Sequence, residues 1–292
     1  MAQLAGPDPL PDVTADVWWA RRQDASDRLA GLLDQTERRR WAAYRRQEDR
    51  DRFLVGCALA KAALARYTGR SPSDVRFDRT CARCGEPHGK PAIAGGGPGH
   101  SVAHSGDLIA VAVAVAGAPV GVDVEQAEGR RHLLGGDGDP EALGRLVLSA
   151  AEQAALAGVP AADRARAFLV AWTRKEAVTK ATGDGMRAAF SEVVVAAGAG
   201  PPRVESWPYP RSPRDVSLLD LDAAAGYVAA LAVLRAPVGL PAPSLGVVEH
   251  RGEPVRGVLP ARPPDVGGPV RQRVRVRLFS HAVSLTGRVH AG

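Results

Sequence analysis

Residues 108–125 read LIAVAVAVAGAPVGVDVE, and residues 108–122 of this stretch are the longest apolar run of the chain. Residues 108–116 and 120–124 are short and valine-rich, and residues 117–119 between them contain glycine and proline, a pattern typical of buried strands joined by a turn. We predict two adjacent strands, paired as a hairpin at the centre of a sheet. Because the run is interrupted and shorter than the roughly 18 to 20 residues of a membrane-spanning helix, we expect no membrane segment.

Helical patterns flank this stretch on both sides. Residues 36–44 are rich in arginine, and residues 50–67 place apolar side chains at the spacing of a mostly buried helix. Further along, Ser149 and Glu152 form a capping-box pattern, and residues 164–181 predict a longer helix that ends before Gly183. Two more strands are predicted at residues 192–196 and 226–234, paired with the sheet of the second half. This mixture of elements predicts an α+β fold.

Three acidic side chains stand out along these elements. Asp123 and Glu125 are two residues apart on a strand, so both project from one face, where burial is unfavourable without a nearby positive charge. On the predicted helix, Glu176 and Lys180 lie one turn apart, and Lys175 flanks them at about 100 degrees. Carboxylates beside ammonium groups suit a magnesium ion that also holds a phosphate. The alternative is a solvated strand end and an ordinary surface ion pair.

The net charge of +6 is unevenly distributed along the chain. Residues 238–292 carry eight arginines and three acidic residues, which leaves the remainder nearly neutral. Lysine is rare, because only four of the 38 basic residues are lysines, at positions 61, 90, 175 and 180. A position that keeps lysine in such a chain indicates a need for a compact ammonium group.

Two features favour a soluble cytoplasmic protein. The opening residues, MAQLAGPDPLPD, lack the basic start and apolar stretch of a secretory signal. The three cysteines are sparse and odd in number, which favours reduced thiols.

Four motifs resemble those of the 4'-phosphopantetheinyl transferase superfamily, surfactin-synthetase-activating type. GVDVE at 121–125 and WTRKEAVTKATGDG at 172–185 are similar to its two signature motifs, an acidic strand and a helix. GKP at 89–91 and HSGD at 104–107 are similar to two further family segments, in the right order. Four ordered motifs are far more specific than one, and three of the four lysines lie within them.

The resemblance implies a fold and a division of the chain. The fold is α+β, with two similar α/β subdomains in a pseudo-twofold relation, the active site in the cleft between them, and a monomeric state. Residues 1–118 would form the N-terminal half, and residues 119–237 the C-terminal half with the metal site. The resemblance does not extend to residues 238–292, whose richness in Pro, Gly and Arg and lack of a sustained period predict a flexible tail.

The resemblance also implies a reaction, the transfer of 4'-phosphopantetheine from coenzyme A to a serine of an apo acyl or peptidyl carrier protein, with release of 3',5'-ADP. Asp123, Glu125 and Glu176 would hold Mg²⁺. Glu176, directly or through a water on the metal, would take the serine proton, and Lys180 would stabilise the phosphate charge. The residues implied to bind coenzyme A are Arg38 (or Arg40), Arg52, Lys90, His104, Lys175 and Lys180.

Two smaller features remain open at this point. Cys81, Cys84 and His88 form a C-x-x-C-x-x-x-H pattern, which predicts either three zinc ligands or a turn with reduced thiols. Lys61 matches no functional position of the family, so we interpret it as a lysine on the surface of a helix.

Two other classes of function compete with the transferase hypothesis. A nucleic-acid-binding protein could act through its basic tail, but the neutral body and the few aromatic residues leave charge as its only support. A magnesium phosphohydrolase could use the same carboxylates on a smaller phosphate ester, although the sequence contains no Walker pattern. We therefore expect coenzyme A and a carrier protein as partners, with no nucleic acid and no membrane.

Overall fold

The computed structural model describes residues 13–81, 83–114, 117–127, 140–185, 189–197, 200–210, 212–234, 245–251 and 272–274. Within these ranges the chain mixes helices and strands, as predicted for an α+β fold. No helix of the described ranges is both long and apolar enough to cross a membrane.

The helices and strands follow one another along the described chain. The helices are α1 (Asp27–Ala30), α2 (Gln35–Ala43), α3 (Gln47–Thr68), α4 (Pro140–Val147), α5 (Ala150–Ala157) and α6 (Ala161–Thr182). The strands are β1 (Val13–Arg21), β2 (Phe77–Asp78), β3 (Ala92–Ile93), β4 (Gly99–Ser105), β5 (Leu108–Ala114), β6 (Val120–Gln126), β7 (Val194–Val195), β8 (Val204–Ser206), β9 (Val216–Asp220), β10 (Tyr227–Leu234), β11 (Leu245–Arg251) and β12 (Gln272–Val274).

The two predicted helix signals in the second half are confirmed. Ser149 caps α5, and its side chain and that of Glu152 form the reciprocal pair of a capping box. Helix α6 ends at Gly183, whose backbone is left-handed with φ of 87°. Glycine adopts this conformation without steric cost, so the helix stops there.

Two sheets pack against each other through a shared apolar layer. The first sheet has the strand order β12-β11-β1-β5-β4, and the second has the order β6-β10-β9. The layer between them includes Ala110 and Ala112 of β5, Val122 of β6 and Leu231 of β10. Because side chains alternate along a strand, the opposite faces of both sheets remain for helices.

The two 22-residue helices cover those opposite faces. Ile109 and Val111 of β5 pack against α3. Ala230 and Ala232 of β10 pack with Ala177 of α6. The order of layers is therefore helix, sheet, sheet, helix, and strands β5 and β10 are apolar on both faces because each lies inside this stack.

The hairpin predicted within residues 108–125 is wrong. Strand β5 pairs with β4, and β6 pairs with β10 in the other sheet. The chain thus changes sheets between β5 and β6, at the segment that contains Gly117 and Pro119. Two apolar strands in sequence are compatible with either arrangement, because apolar character alone does not specify the partner strand.

The strand predicted at residues 192–196 also has a different partner from the expected one. Only Val194 and Val195 form β7, which pairs with β8 in a separate two-stranded sheet. The strand predicted at 226–234 is confirmed as β10, which lies between β6 and β9.

Part of the segment predicted as a flexible tail is a strand. Residues 245–251 form β11, which runs parallel to β1. Trp19 donates from Nε1 to Glu249 at 2.9 Å, and the His250 ring stacks on Trp18 with centroids 4.7 Å apart. Sequence reasoning missed both β1 and β11, because strand pairing between distant segments leaves no local signal. Of the basic stretch near the end of the chain, residues 272–274 form β12 and the remainder lies outside the described residues.

Helix α6 lies directly on strand β6 at Gly121. A Cβ atom at this position would lie 1.9 Å from the carbonyl oxygen of Ala177 and 2.5 Å from the backbone nitrogen of Ala181. Only glycine permits so close an approach of two backbones. This contact sets the distance between the last turns of α6 and the acidic end of β6.

We expect Gly121→Ala to lower the free energy of unfolding by at least about 2 kcal/mol, because the added methyl group forces α6 away from β6. Gly144→Ala is the matched control, since Gly144 lies within α4 and an added Cβ atom meets no heavy atom within 4 Å. Alanine favours a helix, so the control should keep or raise the stability by up to about 1 kcal/mol. Urea denaturation measures both changes, and equal stabilities would contradict the close contact.

Candidate active site

The acidic end of β6 faces the last turns of α6. Asp123 shares the face of Gly121, while Val122 and Val124 point into the layer between the sheets. Lys180 reaches back from α6, and its Nζ donates to Oδ1 of Asp123 at 2.7 Å and to the carbonyl oxygen of Val122 at 3.2 Å. The helix and the strand are thus joined by an ion pair.

Asp123 is a buried carboxylate whose charge is only partly compensated. Its side chain is 8% exposed, and Oδ2 has no hydrogen-bond partner among the described residues. Burial raises the pKa of Asp123 to about 6, against the lowering effect of Lys180, and the charges of Glu125 and Glu176 raise it further. A buried carboxylate oxygen without a donor is an unfavourable arrangement, which a bound cation would relieve.

Glu125 and Glu176 lie close to Asp123 and to each other. Ser105 of β4 donates from Oγ to Oε2 of Glu125 at 2.6 Å. Burial raises the pKa of Glu176, Lys180 lowers it, and the charge of Glu125 raises it. The charge of Glu125 thus acts on both Asp123 and Glu176, so the three predicted metal ligands, from two separate elements, form one acidic cluster.

The ligand atoms of the three carboxylates are farther apart than those of a second group of potential metal ligands. In the described part of the chain, one set of three potential ligand atoms lies within 4.8 Å of one another. Cys81, Cys84 and His88 form that set. Asp123 is instead drawn toward Lys180, which satisfies one of its two oxygens.

Lys175 lies in the core, away from the acidic cluster. Its side chain is fully buried, and its Nζ lies 2.6 Å from Oε2 of Glu152 and 2.9 and 2.8 Å from the carbonyl oxygens of Val147 and Phe190. An ammonium group has three N–H donors, so these contacts satisfy all of them. The predicted role of Lys175 in cofactor binding is therefore replaced by a structural one, because its position on the helix directs it inward rather than toward Glu176.

Lys61 repeats this arrangement in the first half of the chain. Counted from the first helical residue, it occupies the same position in α3 as Lys175 in α6. It is fully buried, 2.8 Å from Glu37 and 3.0 Å from the carbonyl oxygen of Val75. Glu37 and Glu152 each also close a capping box, at the starts of α2 and α5. The interpretation of Lys61 as a surface lysine is therefore wrong, because sequence alone did not reveal its partner.

A cavity of about 480 Å³ lies between α3, β4, the segment before β3 and the end of α6. Most of the ionisable groups in its wall are bases, and one acidic residue, Asp184, also lines it. The basic residues of the wall are Arg52, Arg79, His88, Lys90, His100, His104 and Lys180. Such a wall concentrates positive potential and suits an anionic ligand with several phosphate groups.

The predicted basic residues of the N-terminal half differ in their positions. Arg52 lines the cavity, where its guanidinium donates to the carbonyl oxygen of Gly106 at 2.6 Å and to Asp49 at 2.5 Å. Arg38 is exposed outside the cavity wall and donates to the carbonyl oxygen of Leu33 at 3.0 Å. Arg40 donates to the carbonyl oxygen of Pro87 at 2.7 Å and is not part of the cavity wall. Of the three predicted candidates, the structure thus brings Arg52 to the cavity, and not Arg38 or Arg40.

Lys90 of the GKP motif connects three parts of the structure. Its Nζ donates to the carbonyl oxygens of Val120 at 2.9 Å and Ala181 at 3.1 Å, at the start of β6 and the end of α6. Burial lowers the pKa of Lys90 to about 8. Two of its three N–H donors thus hold the cavity wall together, a contribution that the sequence did not predict.

The HSGD motif spans the last two residues of β4 and the turn that leads to β5. The His104 ring lines the cavity on one side, and protein atoms surround it on its other sides. This partial burial lowers the pKa of His104, and the positive charges of Lys180 and Arg52 lower it further. Gly106 has φ of 55°, and a Cβ atom there would lie 2.2 Å from the Gln126 side chain. The turn therefore requires glycine and presents a neutral imidazole to the cavity at pH 7.

Arg79 and His100 line the cavity but escaped sequence-based prediction. Burial lowers the pKa of Arg79, and its guanidinium lies 5.8 Å from the centre of the Phe77 ring. Burial lowers the pKa of His100 to about 4. A signal existed for His100, because it lies four residues before His104 on the same strand, and side chains at that spacing share a face. No comparable periodicity exists around Arg79.

Residues 119–232 match the family model of the ACPS domain, described as the 4'-phosphopantetheinyl transferase superfamily. The chain is 31% identical over 172 residues to the 4'-phosphopantetheinyl transferase HetI of Nostoc sp., which covers 58% of this chain and 66% of the relative. It is 30% identical over 194 residues to a phosphopantetheinyl transferase of Thraustochytrium sp., which covers 60% of this chain and 63% of the relative. The chain thus spans slightly less than two thirds of the length of these curated relatives.

Among solved structures, the chain is similar to the holo-[acyl-carrier-protein] synthase of Thermotoga maritima. The TM-score is 0.31 with 19% sequence identity, and the alignment covers 54% of this chain and 83% of that chain. The match of residues 119–232 and the two curated relatives support the predicted likeness at the level of the superfamily.

We expect the stability contributed by Asp123 to fall as pH rises through about 6. Its pKa is about 6 in the folded protein against an ordinary value of 3.8, so folding favours the protonated acid. This contribution is full below about pH 4 and lost above the folded pKa. The free energy of unfolding of the wild type, relative to Asp123→Asn, should therefore decline by on the order of 2 kcal/mol between pH 4 and pH 7. Urea denaturation at several pH values measures this difference, and parallel profiles would contradict it.

Replacing each of the two lysines of α6 with methionine should lower the free energy of unfolding by different amounts. Lys175→Met leaves the Glu152 carboxylate buried without its cation, so we expect a loss of about 3–5 kcal/mol of stability. Lys180→Met removes an ammonium that is 28% exposed. Its loss should be smaller, about 1 kcal/mol, because the ammonium is partly solvated and Asp123, whose pKa is already raised to about 6, can take up a proton when its partner is removed. Thermal or urea denaturation distinguishes them, and equal losses would contradict the separate roles.

Proposed function

We propose that this chain is a 4'-phosphopantetheinyl transferase, which moves the phosphopantetheine arm of coenzyme A onto a serine of an apo acyl or peptidyl carrier protein. One observation carries the proposal: a cavity with a basic wall adjoins a buried acidic cluster. Lys180 belongs to both, because it lines the cavity and pairs with Asp123. The likeness of residues 119–232 to the superfamily supports the same function.

We infer that Asp123, Glu125 and Glu176 would hold a magnesium ion. Their carboxylates are hard oxygen donors, as magnesium prefers. Oδ2 of Asp123 is buried without a hydrogen-bond partner in the described part of the chain. The charges of Glu125 and Glu176 raise the pKa of Asp123, and the charge of Glu125 raises the pKa of Glu176. The donor set therefore fits the ion. When bound, magnesium would neutralise the carboxylates and the charge of a substrate pyrophosphate.

The cavity is the proposed site of coenzyme A. Its volume of about 480 Å³ is typical of small-molecule sites. Arg52 and Arg79 would provide positive charge for phosphate groups, and the neutral His104 would donate one N–H. Arg79 joins the predicted residues in this proposal, whereas Lys175 and Arg38 do not contribute to it.

The proposed reaction is an attack of the serine oxygen on the β-phosphorus of coenzyme A. A bond forms between these atoms, the bond from the β-phosphorus to the bridging oxygen breaks, and 3',5'-ADP leaves. Glu176 would accept the serine proton as the general base. Lys180 stabilises the negative charge that develops on the phosphates.

We also infer that the two halves of the chain are related by a pseudo-twofold axis, with the substrate cleft between them. The matched features support this: α3 and α6 both have 22 residues, both end at a left-handed glycine, and both hold a buried lysine that pairs with a capping-box glutamate. We further propose a boundary between the halves near residue 118, a monomeric state, a cytoplasmic location and the surfactin-synthetase-activating type.

Transfer activity tests this function directly. The protein is incubated with coenzyme A, Mg²⁺ and a panel of apo carrier proteins, and mass spectrometry detects the added arm. Asp123→Asn, Glu176→Gln and Lys180→Met should each lower the rate by at least about 100-fold, because each removes a group that acts on the reacting phosphate or proton. Omission of Mg²⁺ should abolish transfer, and its return should restore it.

The matched control is Glu205→Gln, which removes an exposed carboxylate that pairs with Arg203 at the surface. Its rate should equal that of the wild type. Wild-type rates from Glu176→Gln would contradict the site, and failure to load any carrier protein would contradict the transferase function. Phosphate-ester hydrolysis without a carrier protein would instead indicate a magnesium phosphohydrolase.

A further inference from the structure

The segment between β2 and β3 contains a second cluster of potential metal ligands, separate from the carboxylates. The ligand atoms of Cys81, Cys84 and His88 all lie within 4.8 Å of one another, and Sγ of Cys84 lies 3.0 Å from Nε2 of His88. Zinc binds sulfur at about 2.3 Å and nitrogen at about 2.0 Å, so ligands of one tetrahedral ion lie roughly 3.5–4 Å apart. Small side-chain rotations would therefore complete the site. We propose that these three residues bind a zinc ion.

The backbone of this segment already has the shape that such a site needs. The amide of Gly85 donates to the carbonyl oxygen of Cys81 at 2.9 Å, and the amide of Cys81 donates to the carbonyl oxygen of Glu86 at 2.8 Å. Gly85 has φ of 77°, a left-handed conformation that suits glycine. The turn thus directs both sulfurs and the imidazole to one point, and the ion needs no refolding of the loop.

The chemistry of the donors selects zinc over magnesium. Thiolate and imidazole ligands favour zinc and similar transition metals, whereas magnesium prefers carboxylate and water oxygens. The protein would therefore hold two different metals on two ligand sets. Cys84 and His88 are exposed, so water can occupy the fourth position around the zinc ion.

A metal ion would stabilise the segment between β2 and β3. Strands β2 and β3 have two residues each, and the turn-rich segment between them contributes few buried apolar side chains. The same segment supplies His88 and Lys90 to the cavity wall. A zinc ion would fix this segment, since small units with little core of their own gain stability from a metal.

Cys57 offers the matched control among the cysteines. It is buried in α3, and burial raises the pKa of its thiol to about 12. It is not part of the three-ligand cluster. Replacing Cys57 removes one thiol from the chain and leaves all three proposed ligands in place.

Metal content tests the proposal. The full chain is prepared without a histidine tag, incubated with ZnCl₂, dialysed, and analysed by plasma mass spectrometry. The wild type and Cys57→Ala should retain equimolar zinc. The zinc content of Cys84→Ser and His88→Ala should be lower by at least about tenfold, because each variant lacks one ligand. With CoCl₂ instead, the wild type should show the visible absorption of tetrahedral cobalt–thiolate coordination, which Cys84→Ser should lack.

Three outcomes would overturn the proposal: wild-type protein without zinc after dialysis, wild-type zinc content in both Cys84→Ser and His88→Ala, or a disulfide between Cys81 and Cys84 in freshly purified protein. Because metal content is measured without coenzyme A or a carrier protein, these results do not depend on the transferase function. A chain that binds zinc but loads no carrier would contradict only the function proposed above.

Discussion

The contact between helix α6 and Gly121 of strand β6 is the constraint on which the candidate site depends. The helix backbone lies where any side chain on residue 121 would otherwise be. This close approach puts Lys180 within hydrogen-bond distance of Asp123, two residues further along the strand. It also brings Glu176 close enough for its charge to act on Asp123. The acidic cluster is therefore a result of packing between two backbones, and its side chains could not assemble on a wider spacing.

Buried ion pairs hold the helices that surround this site. Lys61 with Glu37 and Lys175 with Glu152 each place an ion pair inside the protein, where removal of either partner would leave the other charge uncompensated. Both glutamates also cap a helix, so each pair connects a helix start to the middle of a longer helix. Such pairs contribute less to net stability than to a unique arrangement of the elements, since a displaced helix would leave a charge unpaired.

The local features of the fold could be predicted from sequence, but the long-range pairings could not. The Ser149 cap and the Gly183 helix end follow from short patterns, and both are correct. The partner of β6 is not a local property, so the predicted hairpin is wrong. In the site, spacing grouped Asp123 with Glu125, whereas Lys175 was misassigned because its helical direction depends on what α6 packs against. Arg79 has no periodic neighbour that could have indicated its position in the cavity wall.

Strand β11, from the C-terminal part of the chain, completes the sheet that contains the N-terminal strand β1. It covers the side of β1 that β5 leaves open, and it supplies Glu249 to the buried indole of Trp19 and His250 to Asp16. A chain cut after β10 would retain every residue of the candidate site, yet it would expose the backbone N–H and C=O groups along β1. An uncovered strand of this kind pairs readily with another copy of itself, so shortened forms would be prone to self-association.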